Sequence, residues 1–129
     1  LDAAGTPQTI DELQHHACLI GTNTEWHFLE GERRRSLRPA GRWQCNSGVA
    51  ITEAAIAGMG ICQLPLFYVQ SHLVRSNLAP ILVPFKAEPE PIWAVYPRRR
   101  HLLPKIRNLA DLLDLRLQNA IDAFAPPHT

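Results

Sequence analysis

The segment Trp43–Leu66 constrains the fold of this chain more than any other stretch. A short apolar segment leads to Asn46 and Ser47, whose side-chain oxygens suit the start of a helix. A helix-compatible stretch follows, and Gly58 suits the left-handed position that ends a helix. A second short apolar run comes next, and Pro65 ends it. The order of strand, helix and strand predicts a βαβ unit, and therefore an α/β fold with a parallel sheet.

The polar turn Asn46–Ser47 is predicted to lie at the carboxyl end of a strand and at the N-terminus of a helix. In open α/β sheets, ligands bind at such positions because free N–H groups and the helix dipole point towards them. A plain helix cap that binds nothing is the alternative. The helix is apolar nearly all round, interrupted only by Thr52 and Glu53, so we expect other elements to cover it on more than one side.

Composition limits the class of protein. The 129 residues suffice for one domain or two small lobes, and an apolar content of 46% is ordinary for a folded protein. The formal net charge is +1, so no overall field favours nucleic acid or a membrane. The three cysteines lie in apolar segments without a CxxC pair, which favours buried, reduced thiols and a cytoplasmic location. We find no catalytic constellation, and we predict neither a metal site nor a cofactor.

Other patterns predict the remaining elements. Thr9 and Glu12 form a capping box before a short helix. Arg33, Arg34 and Arg35 lie in a predicted edge strand, where charge discourages pairing between sheets; this interpretation is preferred to a phosphate patch. Helices are predicted over 67–76 and over about 104–124, the latter with one apolar stripe. Strands or strand-like runs are predicted over 18–20, 26–29, 40–45, 78–85 and 92–96.

Several segments, taken in order, resemble the regulatory domain of the LysR-type transcriptional regulators. The central one is the Asn-centred helix start followed by the glycine-rich helix end and the Leu-Pro pair. The resemblance covers nearly the whole chain, and it lies in the order and spacing of these segments: GTP at 5–7, NSGVAITEAAIAGMGICQLP at 46–65, LAPIL at 78–82, IWAVYP at 92–97, and PKIR at 104–107.

The resemblance implies an α/β fold like the type 2 periplasmic binding proteins, with two lobes and an effector cleft between them. Residues 1–91 would form most of lobe II, residues 92–125 the crossing strand and C-terminal helix of lobe I, and residues 126–129 a tail. The first half of lobe I and the N-terminal winged helix-turn-helix would lie outside this sequence. The family's usual aromatic residue in the last helix is Leu109 here, which affects packing.

The resemblance also implies a function. Such a domain senses a small effector, for which an anionic or other polar group is expected. The whole regulator would be a cytoplasmic homo-oligomer that reaches DNA through its N-terminal domain, without catalysis or membrane contact. A solute-binding protein or an enzyme on the same two-lobed fold is the alternative, and a self-association module built on the last helix is a third. The expected effector-binding residues are Gly21, Thr22, Asn46, Ser47, Pro65 and Leu66.

Overall fold

The computed structural model describes residues 5–93, 95 and 104–122. The chain divides into two compact units, and the boundary lies between Pro89 and Glu90. Within these described ranges, no helix combines the length and apolar character needed to cross a membrane. The elements in chain order are β1 (Cys18–Ile20), β2 (Trp26–Glu30), β3 (Arg33–Leu37), β4 (Gly41–Gln44), α1 (Gly48–Ile56), β5 (Ile61–Cys62), α2 (Leu66–Val74) and α3 (Pro104–Asp122).

A parallel three-stranded sheet forms the centre of the first unit, in the order β4-β1-β5. Leu19 of β1 lies opposite Trp43 of β4 on one side and opposite Cys62 of β5 on the other. The predicted βαβ unit is therefore confirmed as parallel, and β1 is inserted between its two strands. Because β1 is central and covered on both faces, all three of its residues are buried.

The alternation of side chains along β1 separates two apolar clusters, one on each face of the sheet. On one face, Cys18 and Ile20 pack with residues of β2 and of the segment before β1: Ile10, Leu13, Trp26 and Phe28. On the other face, Leu19 packs with Ile51 and Ala54 of α1. Burial raises the pKa of the Cys18 and Cys62 thiols to about 11, so both thiols stay protonated at neutral pH.

Helix α1 begins and ends as its sequence predicts. The Ser47 hydroxyl accepts a hydrogen bond from the Ala50 N–H at 3.3 Å. At the other end, Gly58 has φ +75°, the Met59 N–H bonds Ala54 O at 3.0 Å, and the Gly58 N–H bonds Ala55 O at 3.0 Å. These two bonds form a Schellman motif, which satisfies carbonyls that a helix end otherwise leaves unpaired.

The expected covering of α1 is found on two sides, since α1 packs against the central sheet and against α2. The buried Thr52 hydroxyl donates to Gly48 O at 2.9 Å, which accounts for the polar residue within this apolar helix. Val49 at the N-terminus remains 62% exposed, so the covering is incomplete at that end.

Strands β2 and β3 form an antiparallel hairpin, joined by a two-residue turn that begins with Gly31 at φ +64°. The arginines of β3 lie on an edge strand, as predicted. Arg34 pairs with Glu88, and Arg35 pairs with Asp11 and, at 3.7 Å, with Glu30. Acidic side chains therefore already neutralise much of this arginine cluster.

The sequence prediction for residues 78–85 is wrong. The run over 78–85 is not a strand: Leu82 adopts φ +53°, and a short 3-10 helix follows at Val83–Phe85. A left-handed residue breaks an extended run, and Pro80 and Pro84 provide no N–H for a sheet.

The short N-terminal helix also differs from its prediction. It is a 3-10 helix over Asp11–His15, and its N-cap Ile10 makes no side-chain cap bond. The Glu12 carboxylate reaches back as expected, accepting bonds from the Gln8 N–H at 2.8 Å and the Thr9 hydroxyl at 3.0 Å. These two bonds lower the pKa of Glu12, the first being the larger cause.

The described part of the second unit consists chiefly of α3, which agrees with the predicted last helix. It begins at Pro104, a position where the missing proline N–H costs no helical bond. The strand predicted over 92–96 lies partly outside the described residues, and residues 92, 93 and 95 have no strand structure. The predicted tail over 126–129 lies outside the described residues.

Candidate functional site

A cavity of about 230 Å³ lies where the three parallel strands end. Parallel strands present their carboxyl ends at one edge of the sheet, so the residues that follow β1, β4 and β5 meet there. We call this space the strand-end cavity. Its lining residues are Gly21, Thr22 and Asn23 after β1, Cys45 and Asn46 after β4, Gln63, Leu64 and Pro65 after β5, Gly48 and Ile51 of α1, and Tyr68 of α2.

The N-terminus of α1 opens onto this cavity. The Ser47 hydroxyl is engaged by the Ala50 N–H, and the Ser47 N–H donates to Cys45 Sγ at 3.4 Å. The N–H groups of Gly48 and Val49 belong to the first turn and have no protein acceptor among the described residues. These donors, with the positive end of the helix dipole, favour an anionic or strongly polar group.

Helix α2 contributes a second N-terminus to the same cavity. Its N-cap is Pro65, which makes no side-chain cap bond. A Cβ atom on Gly48 would lie 2.6 Å from Tyr68 Cζ, so only glycine lets α1 approach the Tyr68 ring this closely. The ring of Tyr68 also contacts that of Phe67, with centroids 4.5 Å apart. Gly48 and Tyr68 therefore join the two helix starts at the cavity.

The lining of the strand-end cavity is neutral, since the described side chains around it include no Asp, Glu, Lys, Arg or His. The Asn46 and Asn23 amides and the Thr22 and Tyr68 hydroxyls supply hydrogen-bonding groups, whereas the Gln63 amide is bonded to the backbone of His27. Ile51, with Leu64 and Pro65, supplies the apolar part. Among the described residues of this lining, amide groups and helix N-termini are the groups that can stabilise a charge on a ligand.

Four of the six residues expected from the sequence line this cavity: Gly21, Thr22, Asn46 and Pro65. Ser47 instead caps α1 beside it, and Leu66 begins α2 outside the lining, 46% exposed. Among the polar side chains of the lining, the sequence did not predict Asn23, Gln63 and Tyr68. Gln63 could have been predicted, because it directly follows β5 and the carboxyl ends of parallel strands meet at one edge of the sheet. Tyr68 lies within α2, and no comparable sequence pattern indicates that it reaches this edge.

A larger cavity of about 410 Å³ lies elsewhere, along the hairpin, lined by Glu30, Arg33, Arg34, Arg35 and Ser36. Its position on an edge strand and the ion pairs of Arg34 and Arg35 make it a poorer candidate than the strand-end cavity. Exposed ion pairs of this kind contribute little binding energy and are weakened by salt.

Replacing Ser47 by alanine should lower the free energy of unfolding by about 1 kcal/mol, because the Ala50 N–H would lose its acceptor. The measurement is urea unfolding followed by circular dichroism. Ser71→Ala, within α2, is the matched control and should change stability by less than about 0.5 kcal/mol. Equal effects of the two substitutions would show that the Ser47 cap does not stabilise α1.

Comparison with known proteins places this geometry in context. The family model described as the LysR substrate binding domain matches residues 2–118. An uncharacterized HTH-type transcriptional regulator of Haemophilus influenzae is 32% identical over 114 residues, covering 85% of this chain and 40% of that protein. The HTH-type transcriptional activator TtdR of Escherichia coli K12 is 30% identical over 112 residues, covering 83% of this chain and 36% of that protein. The chain thus spans two-fifths or less of the length of these relatives.

Solved structures agree on the fold. The regulatory domain of AphB from Vibrio vulnificus treated with cumene hydroperoxide superposes with a TM-score of 0.69 at 24% identity, covering 89% of this chain and 59% of that one. The regulatory domain of CrgA from Neisseria meningitidis gives a TM-score of 0.63 at 26% identity, covering 69% of this chain and 45% of that one.

Proposed function

Because the chain belongs to the family of LysR substrate-binding domains, we propose that it senses a small effector for a LysR-type transcription regulator, in the strand-end cavity. The observation that carries the proposal is the convergence of three strand ends and two helix N-termini on one neutral, partly apolar space. This is the position at which α/β sheets offer free N–H groups to a ligand.

The effector we propose is a small carboxylate or a similarly polar molecule with an apolar part. Its polar end would meet the amide of Asn46, the hydroxyl of Thr22 and the first N–H groups of α1, while Ser47 holds that helix start in place. Its apolar part would lie against Ile51, Leu64 and Pro65, the apolar residues of the lining. A neutral lining with oriented donors suits an anion whose charge is spread over two oxygens.

The rest of the regulator is part of the same proposal. Residues 1–91 would form most of lobe II, and residues 92–125 would return to lobe I. The regulator would be a cytoplasmic homo-oligomer without enzymatic activity. DNA contact would come from an N-terminal winged helix-turn-helix outside these residues.

Binding tests this proposal. Isothermal titration of the chain with succinate and with benzoate, at millimolar concentrations, should detect saturable binding of at least one. Asn46→Ala should weaken that binding about tenfold, because a hydrogen bond to a charged group is lost.

The matched control for that titration is Asn77→Ala, since Asn77 follows α2 away from the cavity lining. It should leave the affinity unchanged. An Asn46→Ala protein that binds as tightly as the parent would contradict the proposed site, and an absence of any saturable binding would contradict the ligand class.

A further inference from the structure

The side chain of Gln63 joins two parts of the chain that are far apart in sequence. Its Oε1 accepts a hydrogen bond from the His27 N–H at 2.9 Å, and its Nε2 donates to the His27 carbonyl oxygen at 2.8 Å. Both backbone groups of one β2 residue are therefore satisfied by one side-chain amide. Glutamine can do this because its amide carries a donor and an acceptor side by side.

The strand register explains why His27 has these groups to offer. His27 lies opposite Ser36 on β3, and in alternate pairs of an antiparallel ladder the backbone N–H and C=O point away from the partner strand. Side chains approach most closely in those pairs, and His27 Nδ1 lies 3.0 Å from Ser36 Oγ. The amide of Gln63 thus bonds β2 at the edge that faces away from β3, where Lys86 also forms a single bridge to Phe28.

Gln63 also belongs to the wall of the strand-end cavity. It follows β5 directly and lines the cavity together with Leu64 and Pro65. The β5 strand itself pairs with β1 over only two residues, so its continuation has little sheet pairing of its own. The two bonds to His27 therefore attach this wall segment to the hairpin, in addition to the packing of Leu64 against the cluster of Leu19, Ile51 and Ala54.

We propose that Gln63 is a positioning residue that ties the cavity wall at residues 63–65 to the β2–β3 hairpin, so that the two move together. The link to effector sensing rests on the proposed function of the cavity. The two hydrogen bonds between Gln63 and His27 are present in the protein without ligand. A movement of residues 63–65 would therefore displace the hairpin.

Amide exchange measured by NMR on the ligand-free chain tests the restraint. Gln63→Leu removes both bonds while keeping much of the side-chain volume, so the His27 amide should exchange about tenfold faster. The methyl resonances of Leu64 should shift, whereas those of Val74, 79% exposed at the end of α2, should stay in place. Should Gln63→Leu fail to fold, Gln63→Asn, whose amide is one methylene too short, serves the same purpose.

The matched control is Gln44→Leu, at the exposed end of β4, where the glutamine side chain makes no hydrogen bond within the described residues. It should leave the protection of His27 unchanged. Unaltered His27 protection in a folded Gln63 variant would overturn the proposal, as would an equal loss in Gln44→Leu.

A charge variant separates the hydrogen bonds from packing. Gln63→Glu at pH 7 places a carboxylate, which has no donor, against the His27 carbonyl, so His27 protection should fall about tenfold. Near pH 4 the carboxyl becomes protonated and can both donate and accept, so protection should return to within about threefold of the parent. Gln63→Leu should show no such recovery, and recovery in both variants, or in neither, would contradict the assigned role.

Coupling is tested from the cavity side by Leu64→Ala, made in the parent and in Gln63→Leu. With Gln63 present, the substitution should shift the Ser36 amide resonance on the hairpin. Without Gln63, that shift should vanish. A Ser36 shift of equal size in both backgrounds would show that the wall and the hairpin are coupled without Gln63, which would contradict the proposal. These measurements use no ligand, so a failure to detect effector binding would contradict the proposed function and not the coupling.

Discussion

Gly60→Ala should lower the free energy of unfolding by about 3 kcal/mol, combining overpacking with a weakened backbone hydrogen bond. A Cβ atom on Gly60 would lie 2.3 Å from the carbonyl oxygen of Ala17. That oxygen accepts the Ile61 N–H at 2.8 Å, a bond that holds β5 to β1. The added methyl can be accommodated only if these strands separate, because the obstructing atom belongs to the backbone. Chemical denaturation provides the measurement.

The neighbouring Gly58 supplies the control for Gly60→Ala. Gly58 has φ +75°, and nothing lies within 4 Å of its Cβ position. Gly58→Ala should therefore cost only the strain of a left-handed alanine, about 1 kcal/mol. If Gly60→Ala proved no more destabilising than Gly58→Ala, the close approach of β5 to the chain before β1 would be wrong.

The second large effect is expected for Ile51→Ala, which should cost about 3 kcal/mol in the free energy of unfolding. Ile51 is 1% exposed and packs against Leu19 of the central strand. Its Cδ1 atom would lie 3.5 Å from a Cβ on Gly21, at the edge of the strand-end cavity. Truncation therefore leaves a void in the core and also enlarges the cavity.

Val49→Ala is the matched control for Ile51→Ala, since Val49 lies on the same helix but is 62% exposed. It should change stability by less than about 0.5 kcal/mol. Urea unfolding of the two variants under the same conditions measures the difference. Similar losses for both would contradict the orientation of α1 on the sheet.

Local signals in the sequence predicted α1 and its surroundings well. Asn46 and Ser47 mark the helix start, because their side-chain oxygens can accept the free N–H groups of a first turn. Gly58 marks the helix end, because glycine readily adopts the left-handed conformation found there. The match to the family confirms the predicted α/β fold of the type 2 periplasmic-binding-protein class. The order β4-β1-β5 was not predictable, because the insertion of β1 depends on contacts between distant segments.

The error over 78–85 and the omission of Gln63 from the expected site residues have similar causes. The left-handed conformation of Leu82 is unusual for a residue of that type, so a run that reads as extended ends in a 3-10 turn. The role of Gln63 depends on His27, 36 residues earlier, and single-sequence patterns do not pair such residues. The strand-end residues Gly21 and Asn46 were accessible to sequence reasoning because a parallel sheet brings the ends of its strands together.

Amide chemical-shift mapping tests the central claim most directly, because it shows where on the chain a small carboxylate binds. The chain is titrated with succinate and benzoate at constant pH and ionic strength. The account predicts saturable shifts at Gly21, Asn46 and Gly48 around the strand-end cavity, with Arg33 on the hairpin unaffected. Saturable shifts confined to the arginines of β3, with the amides of the cavity unchanged, would contradict it.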